Sequence, residues 1–133
     1  MKFWLFAFLL LPNFAFAQTT IIDHTAVAWN VAISVGIEPS KFLDLIRCES
    51  GLDGLQGKPV WGDKGKSYGI LQYQQPTFNS HSKDYGITGV REDYITQIVL
   101  GARAIADGKT YAWYTCGKSS GLLPKNWTFA MLK

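Results

Sequence analysis

Glu49 is the side chain best placed to do chemistry. It follows Ile46 by three residues and Phe42 by seven, so in a helix it falls on the apolar face. It also falls in the last turn before Gly51, at the negative end of the helix dipole. Both surroundings disfavour the carboxylate and raise its pKa toward neutrality. An acid that keeps its proton near neutral pH is what cleavage of a glycosidic bond requires. A surface glutamate at a frayed helix end is the plain alternative on position alone. The stretch that follows favours the acid. Gly54, Gly57, Gly62, Gly65 and Gly69 lie within it, and such backbone lets a polymer approach closely and leaves amides free to bind it.

The chain has two cysteines, Cys48 and Cys116, and two histidines, His24 and His81. No C-x-x-C occurs and the histidines are far apart in sequence, so metal-site spacing is absent and no cofactor is expected.

The elements that must hold Glu49 are mainly helical. Ala26 to Val35 reads as a first helix, with Trp29, Val31, Ala32 and Val35 on its apolar side, Asp23 or Thr25 as cap and Gly36 as stop. Pro39 to Ser50 reads as a second, with Pro39 in its first turn, Gly51 after its end and Phe42, Leu43, Leu45 and Ile46 as the buried stripe. Gly54 to Gly69 reads as loop with short strand at best, and Tyr68 to Tyr73 as an extended segment. Pro76 to Lys83 is a short helix. Glu92 to Asp107 is a longer one, with Ile95, Ile98, Val99, Ala102, Ile105 and Ala106 at helical spacing. Tyr111 to Cys116 reads as a further turn.

With 133 residues the chain fits one domain. Lys2, the apolar run Phe3 to Leu11, the break at Pro12-Asn13 and the small-x-small site Ala15-Phe16-Ala17 have the layout of a signal peptide over residues 1–17. An uncleaved membrane anchor is the alternative, disfavoured because the apolar run is too short to span a bilayer. Cleavage after Ala17 leaves a domain of residues 18–133, exported to the periplasm or the extracellular space, with no stable membrane span. Of 13 Lys/Arg and 10 Asp/Glu, only Lys2 is lost, so the net charge falls from +3 to +2. That balance tolerates an anionic polymer, and the absence of a basic run argues against nucleic acid. Export makes a Cys48–Cys116 disulfide the expected state, worth about 3–4 kcal/mol for a loop of this length.

Glu49-Ser50, followed by Trp61-Gly62-Asp63-Lys64-Gly65-Lys66-Ser67-Tyr68-Gly69-Ile70-Leu71-Gln72, resembles the lytic transglycosylase and goose-type lysozyme superfamily. The E-S pair matches that family's catalytic motif, and G-D-x-G-x-x-x-G-x-x-Q its second motif. Gln97-Ile98 and Gly101-Ala102-Arg103 resemble its following helix, so the likeness runs from about Ala26 to Tyr114.

The resemblance implies an α+β, mainly helical, lysozyme-like fold with a small Gly-rich β/loop insertion lining a glycan groove. It implies that Glu49 cleaves the bond between N-acetylmuramic acid and N-acetylglucosamine in peptidoglycan, forming a 1,6-anhydro sugar. Ser67, Tyr68 and Gln72 would contact substrate, Ser50 would support local geometry, and Asp63 matches an aspartate that goose-type enzymes place near the cleavage point. Their next acidic position falls at Gln74, which cannot act as a base and favours the transglycosylase.

The family's third motif, A-Y-N, is not matched by Tyr111-Ala112-Trp113-Tyr114. Tyr111, or else Tyr114, would supply its tyrosine, unless both simply pack the core. Trp61, Tyr73, Phe78 and Trp113 are candidates to stack on sugars, one or two at most. A water-using muramidase assisted by Asp63, and a non-catalytic glycan-binding or secretion-apparatus component, are the competing functions. A secretion, conjugation or phage assembly is a further possible partner.

Overall fold

The computed structural model describes residues 22–132; the signal-peptide reading and its cleavage point lie outside them. The chain is α+β and mainly helical. Five helices carry the core: α1 (Thr25–Val35), α2 (Pro39–Leu55), α3 (Gln75–Tyr85), α4 (Tyr94–Ala106) and α5 (Tyr114–Ser120). Between α2 and α3 lies an antiparallel sheet of three two-residue strands, β1 (Trp61–Gly62), β2 (Ser67–Tyr68) and β3 (Tyr73–Gln74), in that order. Single 3-10 turns occur at Asp63–Gly65, Thr110–Trp113 and Phe129–Met131. Among the described residues, no helix is long and apolar enough to cross a membrane.

α4 is the central element. Ile98, Leu100, Ala102 and Ala104 have no exposed surface, and α1 and α3 both pack against it. Its start is fixed by Asp93, whose carboxylate accepts from the Ile95 amide at 3.1 Å and from Thr96 Oγ1 at 2.6 Å. Of the residues at helical spacing in the sequence, Ile98, Ala102 and Ile105 are buried. Gln97, Leu100 and Ala104 are buried as well, while Ile95 and Ala106 are exposed, because neighbours surround the helix on most sides.

α1 also turns differently from the expectation. Ala32 is buried and Val31 and Val35 pack against the core as expected, but Trp29 is 42 % exposed and Ala28 is buried instead. Alanines four apart let α1 lie close against α2 and α4, where an indole would not fit.

α2 buries Phe42, Leu43, Leu45 and Ile46 as expected. Its helical path continues beyond Ser50 to Leu55, but Gly51 breaks it with φ 65° and ψ −160°. Few residues other than glycine adopt that conformation, so the regular helix ends directly after Glu49 and Ser50. The extended segment expected from Tyr68 to Tyr73 is instead two strands joined by a turn. Ile70 and Leu71 in that turn are fully buried, and their side chains anchor the sheet to the helical core.

Candidate active site

Glu49 stands at the end of the regular part of α2, and two contacts fix its surroundings. Ser50 Oγ donates to the Ile70 carbonyl at 2.8 Å, joining the helix end to the β2–β3 turn. Cys48 is disulfide-bonded to Cys116, with Cα atoms 5.6 Å apart, joining the same turn of helix to α5. The expected bridge is therefore present, immediately beside Glu49.

Glu49 opens onto a cavity of about 530 Å³. Asp63, Ser67, Gln72, Tyr73 and Gln74 of the sheet lobe line it, with Thr77 from α3 and Ala112 and Trp113 from the 3-10 turn before α5. Burial pushes the Glu49 carboxyl up to about 7. Taking a carboxylate out of water penalises its charged form, and no cation offsets that penalty here. Near neutral pH the group therefore exists in both protonation states, as a proton donor and a proton acceptor.

Asp63 lies in the same cavity in a different setting. Its Oδ2 accepts from Gln74 Nε2 at 2.9 Å. β2 pairs Ser67 with both Gly62 and Gln74, which brings the two ends of the lobe together at this amide–carboxylate contact. Asp63, Lys64 and Gln72 have φ values of 48°, 54° and 50°. These are the described non-glycine residues with positive φ, and all belong to the lobe. Such backbone costs on the order of 1–3 kcal/mol per residue and persists where surrounding contacts enforce it.

Those contacts come from behind the lobe. Gln97 of α4, with no exposed surface, accepts from the Leu71 amide at 3.0 Å and donates to the carbonyls of Tyr68 at 2.9 Å and Arg91 at 2.7 Å. Gly69, at φ 90°, has no side chain to collide with that amide. Trp113 Nε1 donates to the Leu71 carbonyl at 2.8 Å. Arg91 packs over Trp61 and Tyr68 and donates to the Lys66 carbonyl at 3.1 Å. Within the lobe, Gln72 Nε2 donates to the carbonyls of Gly69 at 2.8 Å and Val60 at 3.1 Å. Gln72 thus braces the lobe while lining the cavity.

Tyr73 forms part of the cavity floor. Its hydroxyl shares a 2.9 Å hydrogen bond with His81 Nδ1 in the core. Burial raises the Tyr73 pKa and lowers that of His81, so both stay neutral near pH 7. Among the described residues, no group of three or more His, Cys, Asp or Glu is placed to hold a metal ion.

Of the residues singled out in the sequence, Glu49, Asp63, Ser67 and Gln72 meet in the cavity. Tyr68 and Tyr111 are outside it. Alternation along β2 sends Ser67 toward the cavity and Tyr68 to the other face, against Trp61 and Tyr94 with ring centroids 4.5 and 5.9 Å away. Tyr111 stacks on Trp127, while the next two residues, Ala112 and Trp113, reach the cavity wall. Tyr114 accepts from Lys118 Nζ at 2.7 Å and is likewise not part of the lining. Of the candidate sugar-stacking aromatics, Tyr73 and Trp113 line the cavity, Phe78 is core, and Trp61 is exposed elsewhere. Thr77 and Ala112 were not singled out, and neither has a sequence signal that separates it from an ordinary helix or turn residue. Comparison with known proteins finds no match to a family model, a curated protein or a solved structure.

Proposed function

We propose that the chain is an exported peptidoglycan lytic transglycosylase of lysozyme-like fold. It would cleave the β-1,4 bond between N-acetylmuramic acid and N-acetylglucosamine with Glu49 as sole general acid/base. The observation that carries this reading is the setting of Glu49: a carboxyl raised to about 7 by burial, opening onto a polar cavity. A helical body with a small sheet lobe facing the helix that bears the acid is consistent with the lysozyme-like fold implied by the Glu49-Ser50 and Gly62–Gln72 motifs.

In this mechanism protonated Glu49 donates to the glycosidic oxygen as the C1–O bond breaks. The substrate's own N-acetyl group assists at C1, so no enzyme nucleophile is needed. Glu49, now a carboxylate, accepts the proton of the C6 hydroxyl as that oxygen closes on C1. A pKa near 7 suits a group that must act in both directions in one turnover. The Gln74 amide supports this assignment. It stands where the resemblance puts a second acid in the hydrolases, and it donates to Asp63.

Mass spectrometry of digested wall tests the reaction. Anhydro-muropeptides are the expected product, and these should vanish with Glu49→Gln. Reducing-end muropeptides would instead assign hydrolysis with Asp63 assisting, the second reading, which the shared cavity of Asp63 and Glu49 supports. Wall binding with no cleavage products would point to a non-catalytic glycan-binding component.

A further inference from the structure

The described residues carry several exposed apolar side chains, and most stand alone. Ile22, Leu52, Trp61, Val90 and Ile95 lie on different segments, and Trp29 and Ile33 form one pair a turn apart on α1, a scatter that calls for no partner. The end of the chain is different. Phe129, Met131 and Leu132 follow one another on and just after a 3-10 turn and are 56 %, 55 % and 49 % exposed. Behind them is a ring cluster. Phe129 stacks on Tyr114 at 5.1 Å and meets Trp127 edge-on at 5.1 Å. The Lys118 ammonium sits 4.4 Å from the centre of the Tyr114 ring. The rings hold the turn in place and leave its apolar side chains facing out.

Charge is distributed unevenly in the same segment. From Gly108 onward the sequence has Lys109, Lys118, Lys125 and Lys133 and no aspartate or glutamate. Lys109 is tied to Asp84 at 2.9 Å. Lys118 and Lys125 form no ion pair among the described residues. Large apolar side chains beside unpaired lysines and an indole match the chemistry of a bilayer interface with anionic headgroups.

We propose that the turn Phe129–Met131, with Leu132 and Trp127, is an interfacial anchor that seats the protein on an anionic lipid surface. The apolar side chains enter the acyl boundary, and Lys118 and Lys125 meet the headgroups. A wall glycan is the competing occupant, since Tyr111 of the same cluster adjoins Ala112 and Trp113 of the cavity wall. Met131 and Leu132 argue for lipid, because neither has a flat face for a sugar, whereas both suit acyl chains. The proposal is independent of any role for Glu49.

The test is co-sedimentation of the oxidised protein with vesicles of equal phosphatidylglycerol and phosphatidylcholine, with vesicles of phosphatidylcholine alone, and with purified wall sacculi. Binding to the anionic vesicles is expected to exceed binding to the neutral ones and to weaken as salt rises. The triple substitution Phe129→Ser, Met131→Ser, Leu132→Ser should lower that binding by about tenfold or more. Lys125→Glu, at an exposed site that leaves the rings untouched, should lower it as well; thermal melts establish that both variants are folded. No binding to anionic vesicles, equal binding to neutral ones, or undiminished binding by the folded triple variant would overturn the proposal. So would a triple variant that loses sacculus binding and keeps vesicle binding.

Discussion

Ser50 Oγ and the Ile70 carbonyl are 2.8 Å apart, and this hydrogen bond joins the end of the acid-bearing helix to the turn of the sheet lobe. Ser50 is buried and also lies 3.4 Å from the Ile46 carbonyl of its own helix. The residue after Glu49 therefore ties the acid-bearing helix to the lobe that lines the other side of the cavity.

Ser50→Ala should destabilise the protein by about 1–2 kcal/mol, since it strands a buried carbonyl. Urea denaturation measures this. Wall clearance should fall at the same time, even at temperatures where the variant is fully folded, because the lobe loses its tie beside Glu49. Unchanged clearance would mean that the cavity tolerates a looser lobe.

The burial of Glu49 makes stability depend on pH in a specific direction. Its folded-state pKa, about 7, is above the ordinary value of 4.5, so the folded protein holds this proton more tightly than the unfolded chain. The contribution is fully present below about pH 4.5 and is lost as pH rises through about 7. Glu49→Gln should remove this dependence and leave the protein more stable than the parent at pH 8, by on the order of 1–2 kcal/mol after allowance for the half-buried setting. Denaturant melts of both proteins at pH 5 and pH 8 give the comparison.

The same group governs the rate. Donation to the glycosidic oxygen needs protonated Glu49, so wall clearance should fall as pH rises above about 7. Initial rates on purified sacculi across neutral and alkaline pH give the profile. A rate still rising well above pH 7 would count against Glu49 as the acid.

Replacing Cys48 and Cys116 by serine should cost about 3–4 kcal/mol, because the bridge closes a loop spanning a sequence separation of 68. Thermal melts with and without reductant measure it. The activity lost should exceed the fraction unfolded, since the bridge ties the turn beside Glu49 to α5, which directly follows Trp113 of the cavity wall. Loss of activity strictly in proportion to unfolding would make the bridge a stabiliser alone.

Much of this arrangement is legible in the residues, for local reasons. The three-and-seven spacing of Glu49 behind Ile46 and Phe42 and the stop at Gly51 are helix periodicity and backbone sterics, which neighbouring residues determine. The sheet lobe is legible as glycine-rich loop, but its strands are two residues long and no alternation can develop over that length. The direction of Tyr68 is not legible for that reason, since it depends on the pairing with Trp61 and Tyr73. The stacking of Tyr111 on Trp127 is not legible either, because Trp127 lies in a segment with no periodic pattern. Gln97 reads as one polar residue in an apolar helix, and only the fold reveals that its amide meets three separate backbone groups.

Strands this short have another consequence. The lobe has almost no ladder of its own, and its shape is imposed by Gln97, Trp113, Arg91 and Ser50 from outside. It is a cast taken from the helices around it, and an isolated peptide of residues 54–75 should hold no memory of the form. In the whole protein the Leu71 amide should exchange with solvent in step with α4, because it is held by Gln97 of that helix.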